Sequence, residues 1–379
     1  MVTSQPIPYL FRRSTMKPIV NAKCWSAAFV LVGAALLGFA ARANAETTAM
    51  NVYDVSVIES SPGYNAWPMI QAVGGRLVCA YSRGSAHTVS EGKRGVFARV
   101  SKDCGATWSD EVSVCNAPEW GEVSVGKGLD ASGAMLLWIR RVGPRGFGEG
   151  TFHDLWRTAD GVAWEKVSAP MLDPSPVQIT DIFAVPGKGL MSLWFAGDYR
   201  NKAIVNSWGT LTSIDGGRTW KQRTVERGLG KSEWPTEQSA VYLGGGRILA
   251  IARCESGGRC QFQLTSADGG ETWKRERTNI EDVLESTPSL IYDETTKTVL
   301  NYYYQRGAKK LKCRRANAEA VFDNPTGWPE PTVLFEGNEE RAYDAGNVNA
   351  TEHGGRHCLS FYSGTKTNTS VLCLKLHRR

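Results

Sequence analysis

One short motif recurs along this chain at a nearly constant interval. Residues 101–108 read S-K-D-C-G-A-T-W, residues 213–220 read S-I-D-G-G-R-T-W, and residues 266–273 read S-A-D-G-G-E-T-W. Residues 158–164 are a copy shortened by one position, and residues 322–328 a more degenerate one. The motif tryptophans fall at 108, 164, 220, 273 and 328, with gaps of 56, 56, 53 and 55. Repetition at such a period means one unit stacked on copies of itself, as in a solenoid, a propeller or an array.

The residues between copies choose among these. In one unit the apolar run 239–243 meets a glycine turn at 244–247, a second run at 248–252 and a third at 261–264 that enters the motif. The preceding unit matches it with 182–185, 186–189 and 190–195. No convincing amphipathic helix interrupts them. Four short strands per unit with glycine turns predict a propeller blade. A mature chain of 334 residues then holds about six units, which predicts an all-β, six-bladed β-propeller with Asp-box turns. The last unit lacks the motif; its strands would lie at 346–350, 358–362 and 371–375, with residues 52–57 as its outer strand. That closure removes free sheet edges. Within the motif the aspartate can accept backbone N–H bonds, glycine permits positive φ and tryptophan can pack between sheets, so the motif reads as scaffold.

The first 45 residues have the parts of a secretory signal. Arg12, Arg13, Lys17 and Lys23 precede an apolar run at 25–40, and Ala43-Asn44-Ala45 follows as a small-residue site. Cleavage is expected before Glu46, giving a signal peptide at 1–45, a propeller at 46–379 and a secreted or periplasmic protein with no membrane span in the mature chain; Met16 is an alternative start. The whole chain carries a formal +6, but this leader holds five basic residues and no acid, so the mature chain is near +1. Such a balance leaves no footprint for nucleic acid or anionic membrane.

Eight cysteines remain beyond the leader, with no C-x-x-C pair. Cys104–Cys115, Cys254–Cys260 and Cys358–Cys373 are candidate bridges, and free core cysteines are the alternative. His353 and His357 have a spacing that could suit a metal, but they lie in an expected hairpin turn, so no metal is expected. The glycine turn at 244–247 opens no helix and is not a phosphate loop, so no cofactor is expected.

Propeller ligands usually bind where inner strands begin and second strands end. The inner-strand starts carry Tyr64, Trp67, Glu122, Asp181, Glu237 and Tyr343. The second strands end with Arg83, Arg140, Arg141, Arg200, Arg253 and Arg306. Several arginines converging on one mouth predict an anionic ligand, most simply a carboxylate, because a guanidinium grips a carboxylate through two parallel N–H bonds. Ordinary salt bridges on the propeller face are the alternative.

The segment 237–253, from Glu237 to Arg253, followed by the turn at 265–273, resembles the sialidase (neuraminidase) family, and the likeness extends over the mature chain. The resemblance implies hydrolysis of sialic acid linkages, with a sialylated glycan or polysialic acid as partner. It implies Glu237 as the glutamate that polarises a tyrosine, Arg253 and Arg306 as carboxylate-binding arginines, and Tyr343 as the nucleophile. A neutral phenol suits this chemistry, because the sialic acid carboxylate would repel an attacking Asp or Glu. Two features depart from the pattern. Residues 64–68 read Y-N-A-W-P where the family has its first arginine, and His87 or Glu91 stands where exo-acting members carry an acid/base aspartate. Tyr64, Trp67, Arg83 and His87 together are closer to phage endosialidases. That likeness implies sugar stacking on Tyr64 and Trp67, proton transfer by Glu237 or His87, and Arg83 as a substitute for the missing arginine. Exo cleavage, endo cleavage and non-catalytic binding of sialic acid all remain open at this level.

Overall fold

The computed structural model describes residues 51–87, 94–143, 151–197, 204–255, 260–283, 286–337 and 345–377. The expected signal peptide and its cleavage site lie outside these residues, as do Glu91, Arg200 and Tyr343.

The chain is all-β apart from short helical turns. β1 (Asn51–Glu59) is followed by a meander of β2 (Tyr64–Val73), β3 (Arg76–Gly84), β4 (Gly95–Ser101) and β5 (Val112–Cys115). The next meander is β6 (Gly121–Leu129), β7 (Met135–Val142), β8 (Thr151–Thr158) and β9 (Glu165–Ser168). β10 (Gln178–Val185), β11 (Gly189–Ala196), β12 (Ser207–Ser213) and β13 (Lys221–Arg227) form a third. β14 (Pro235–Gly244), β15 (Arg247–Cys254), β16 (Phe262–Ser266) and β17 (Lys274–Arg277) form a fourth, and β18 (Ser289–Asp293), β19 (Thr298–Gln305), β20 (Lys310–Asn317) and β21 (Thr332–Glu336) a fifth. β22 (Ala345–His353), β23 (Arg356–Gly364) and β24 (Thr369–His377) complete the chain.

The expectation of six blades is corrected by the sheets. Four are self-contained four-stranded blades, and the remaining strands form one eight-stranded sheet in the order β22-β23-β24-β2-β3-β4-β5, with β1 on β24. The cause is a seam between the first and last repeats. Tyr64 pairs with Thr369 in parallel, the Asn65 amide donates to the Thr369 carbonyl at 2.8 Å, and the Thr369 hydroxyl donates to the Asn65 carbonyl at 2.6 Å. β1 pairs antiparallel with β24 along Asn51↔His377 to Glu59↔Val371 and covers that edge.

Burial follows position within each sheet. The second strands are buried almost end to end, as in β7 (MLLWIRRV) and β19 (TVLNYYYQ), because both faces are covered by neighbouring sheets. The outer strand β13 (KQRTVER) is exposed or half-buried throughout. Among the described residues, no helix is long and apolar enough to cross a membrane.

The recurrent turns are closed by their own side chains. Ser266 Oγ donates to Asp268 Oδ1 and accepts from the Gly270 N–H, both at 2.8 Å, while Asp268 accepts from the Thr272 N–H at 2.9 Å and the Thr272 hydroxyl at 2.6 Å. The turns at 101–108 and 213–220 repeat these bonds. Each turn leans on the preceding sheet. Gly217, at φ 91°, lies so close to that sheet that a Cβ would sit 2.6 Å from Leu155 Cδ2. Trp220 meets Trp138 there at 5.1 Å between ring centroids.

The degenerate copy at 322–328 departs from this pattern, and from the expectation of no helix. Its lead-in folds as a short helix, α1 (Ala318–Asp323), whose N-terminus is capped by Asn317 Oδ1 accepting from the Ala320 N–H at 3.0 Å. All eight cysteines beyond the leader are free thiols, so none of the three candidate bridges is formed.

Candidate functional site

Three inner strands bend where a non-glycine residue adopts positive φ. Trp67 (52°) lies at the register shift between Ala66 and Met69 in β2, Glu237 (46°) at that between Thr236 and Ser239 in β14, and Asn347 (44°) at that between Gly346 and Asn349 in β22. Such bulges re-aim side chains, and each left-handed non-glycine residue costs about 1–3 kcal/mol. The three bulges lie at matching places on separate inner strands.

Beside the first bulge stands an aromatic group. The Tyr64 hydroxyl and His87 Nδ1 are 2.6 Å apart, and the Tyr64 ring lies 5.8 Å from Trp67, 5.4 Å from His87 and 5.8 Å from Tyr362 between centroids. Tyr64 and Tyr362 are fully buried, whereas Trp67 and His87 are half-buried.

At the second bulge, Glu237 Oε2 accepts from Arg253 Nη1 at 2.8 Å. Arg253 Nε lies 3.0 Å from Glu255 Oε1, which also accepts from the Thr236 hydroxyl at 2.8 Å. Arg253 is therefore held between two carboxylates and cannot swing. Arg306 is buried, and its Nε donates to the Ala345 carbonyl at 3.0 Å, beside the third bulge.

Electrostatics join these groups. Burial first, then the charges of Arg306, Arg94 and Arg253, pull the His87 imidazole down to about 4, against an opposing pull from Glu237. His87 is thus neutral at neutral pH, and it feels Arg306, Arg253, Glu237 and Arg94 together. Among the described residues, Arg94, Arg253 and Arg306 act on His87 against Glu237.

Two sequence-derived expectations meet a different arrangement. Arg83 does not join this cluster. Its guanidinium takes both oxygens of Glu111, at 2.8 and 2.5 Å, approaches Glu59 at 3.7 Å and lies 4.4 Å over the Phe97 ring. The reason is strand alternation: Arg83 shares a face of β3 with Tyr81, whose hydroxyl also donates to Glu111 and Glu59. Arg141 likewise sits at 3.4 Å from Asp154 and over Trp120, and Arg140 donates to the Val177 carbonyl at 3.0 Å. His353 and His357 form no metal cluster among the described residues; instead His357 Nδ1 and the Tyr302 hydroxyl lie 2.5 Å apart.

Arg94 is the residue that sequence reasoning missed. It precedes β4, a third strand, whereas only inner-strand starts and second-strand ends were aligned on the mouth. Its guanidinium lies 4.8 Å from the Trp67 ring centroid and 5.5 Å from that of Tyr64, and Nη2 donates to the Ala86 carbonyl. It is 2% exposed, yet its Nε and Nη1 have no hydrogen-bond partner among the described residues. Burial, ahead of all other influences, draws its pKa down to about 10, so it stays cationic at neutral pH. Gly84 makes room for it, since a Cβ there would stand 2.8 Å from Arg94 Cζ. A stretch reading R-G at the start of a strand, opposite R-G at the end of its neighbour, was the available signal.

A separate cavity of about 170 Å³ opens between β8 and the chain leading into β10, lined by Phe152, His153, Met171, Leu172, Ser175 and Val177 among others. None of the candidate residues lines it, and the bulges and charges described above mark the mouth more strongly than this cavity.

No protein-family model matches the chain, and no curated protein matches it. Solved structures do. A protein of unknown function from Dyadobacter fermentans aligns with TM-score 0.72 at 19% identity, over 87% of this chain and 99% of that one. The NanB sialidase of Streptococcus pneumoniae aligns with TM-score 0.63 at 14% identity, over 85% of this chain and 70% of that one. The phage phi92 endosialidase aligns with TM-score 0.62 at 12% identity, over 86% and 69%. At these identities the likeness is one of fold: the chain has a sialidase-like β-propeller.

Proposed function

We propose that this chain is a glycoside hydrolase acting on sialic acid linkages, with its site at the mouth that holds Glu237, Arg253, Arg306, His87 and Arg94. The observation that carries this reading is that an arginine stands at each of the three inner-strand bulges: Arg94 4.8 Å from the Trp67 ring centroid, Arg253 donating to Glu237 at 2.8 Å, and Arg306 donating to the Ala345 carbonyl at 3.0 Å. Three converging guanidinium groups favour a small carboxylate over a neutral sugar. The fold neighbours add weight, since they include a sialidase, an endosialidase and a Trypanosoma rangeli sialidase in complex with sialic acid.

In this reading the ligand carboxylate binds Arg253 and Arg306, both fixed in place beforehand, so little ordering is required on binding. Arg94 supplies the cation that the residues Y-N-A-W-P at 64–68 do not, and Arg83 has no part. Tyr343 is the nucleophile, and Glu237 draws its proton. His87, neutral and tied to Tyr64, can accept a proton near neutral pH but is a poor donor above about 4. Half-buried Trp67 offers its ring to the sugars, whereas Tyr64 is fully buried and, contrary to the sequence expectation of stacking, serves to hold His87. The same arrangement without turnover would be a sialic-acid-binding propeller, a reading favoured by the two carboxylates that already hold Arg253.

Incubation with a fluorogenic sialoside and with polysialic acid tests both. Release of the fluorophore or shortening of the polymer supports hydrolysis, and the product sizes separate exo from endo cleavage. Binding of sialic acid without turnover of either substrate would leave the binding reading, and absence of both would remove the site.

A further inference from the structure

Cys254 ends β15, and Cys260 stands just before β16. The β15–β16 register runs from Ile248↔Ser266 to Ala252↔Phe262, and carried two residues further it sets Cys254 opposite Cys260. Directly opposed residues of an antiparallel pair have Cβ atoms about 4.5–5.5 Å apart, close to the separation that a disulfide spans. A common neighbourhood joins the two thiols: Arg277 Nη2 donates to the Ser232 carbonyl at 2.9 Å. Arg277 Nη1 lies 3.5 Å from Cys260 Sγ, and Cys254 Sγ lies 3.5 Å from the Ser232 carbonyl. Both residues are buried, at 4% and 7% exposure.

We propose that Cys254 and Cys260 are a redox pair that converts between dithiol and disulfide by exchange with an external disulfide, and that the bridge pins the end of β15 bearing Arg253 and Glu255. The thiols differ in a way that sets the order of attack. The neighbouring Cys254 thiol, ahead of the opposing effect of burial and with help from Arg277, draws the Cys260 thiol down to about 6. Cys254 is pushed up, first by the neighbouring Cys260 sulfur and then by burial. The Arg277 guanidinium, 3.5 Å from Cys260 Sγ, favours the thiolate on that sulfur, which makes Cys260 the attacking thiol.

The thiolate of Cys260 attacks one sulfur of the donor disulfide; a new S–S bond forms, the donor S–S bond breaks and one donor thiolate leaves. Cys260 is then no longer an anion, and the main influence holding the Cys254 proton is gone. Cys254 loses its proton to the departing thiolate and attacks Cys260 Sγ, and the second donor sulfur leaves as a thiolate that takes up a proton from water. Two protein thiols are oxidised and one donor disulfide becomes two thiols. The consequence reaches the mouth, because Cys254 lies between Arg253, which pairs with Glu237, and Glu255. The pair stands on the cysteine geometry alone and does not require the glycosidase reading.

The test uses oxidised glutathione as donor, applied to the native chain and, in a second arm, during refolding, with alkylation under denaturing conditions and peptide mapping. The expected result is a linked peptide containing Cys254 and Cys260, with the other thiols still alkylated. Cys254→Ser should trap a glutathione adduct on Cys260, and Arg277→Met should slow the exchange several-fold at pH 7. The bridged form should melt higher than the reduced form. Absence of the linked peptide in both arms, or equal linkage among other cysteines, would overturn the proposal.

Discussion

The two ends of the sheets follow opposite rules. At the turn end, each S-x-D-x-G-x-T-W segment satisfies its polar groups within itself, and Ser266, Asp268, Gly270 and Thr272 find partners no more than four residues away. At the mouth, partners come from far along the chain: Tyr64 with His87, Glu237 with Arg253, and Arg306 with Ala345, which is 39 residues distant. The turn end closes its polar groups locally. The mouth holds Trp67, Glu237 and Asn347 at positive φ on inner strands, and a buried guanidinium two of whose nitrogens have no hydrogen-bond partner among the described residues; at the turn end, positive φ at Cys104 and Lys297 is confined to short turns. Locally closed turns at one end hold the sheets in place while bulges at the other re-aim side chains from separate strands.

The largest expected effect separates the two ends outright. Glu237→Ala and Arg253→Ala should each lower turnover of a sialoside by about 100-fold or more while leaving the melting temperature within a few degrees of the parent. Wild-type rates in both variants would move the site elsewhere. Tyr343→Phe should remove turnover yet retain sialic acid binding; retained activity would exclude Tyr343 as nucleophile.

Arg94→Met sharpens the comparison, because it should act in opposite directions on binding and on stability. Removing a buried cation two of whose nitrogens lack partners among the described residues should stabilise the ligand-free chain by about 1 kcal/mol or more, while weakening sialic acid binding about tenfold. Thermal melting and calorimetric titration read the two effects separately. A loss of stability with unchanged affinity would make Arg94 a packing residue.

Acid should act on the two ends at different pH. His87 has a folded pKa of about 4 against an ordinary 6.5, and His153, pulled down to about 3 by burial and then by Arg140, behaves alike. The unfolded chain takes up these protons first, so stability declines as pH falls through the window from 6.5 to 4. Asp103, held at about 2 chiefly by the Thr107 hydroxyl, contributes stability above its ordinary 3.8 that disappears only as pH falls from there towards 2. His87→Gln should flatten the upper part of a denaturant-midpoint profile against pH and leave the lower part. The smallest effect is local: Ser266→Ala should cost about 1 kcal/mol in a chemical melt, with no change in sialic acid binding.

The same contrast explains what could be read from the sequence. The strands, the glycine turns and the self-bonded motif were legible because each is a local pattern. The number of separate sheets was not, because it turns on Asn65 and Thr369, which lie 304 residues apart. α1 was missed because its cap, Asn317, lies outside the degenerate motif copy. Arg83 was misread because position along β3 placed it at the mouth while the alternation of β3 aimed it at Glu111 and Glu59. Arg94 escaped notice because nothing local distinguishes a buried guanidinium from an exposed one; only the rings of Tyr64 and Trp67 and the missing side chain at Gly84 reveal it.

Calorimetric titration of the chain with free sialic acid and with its methyl ester measures the carboxylate site directly. The acid should bind, the ester should not, and Arg253→Ala should lose binding of the acid. Equal binding of acid and ester, or binding of the acid that survives Arg253→Ala and Arg94→Met together, would contradict it.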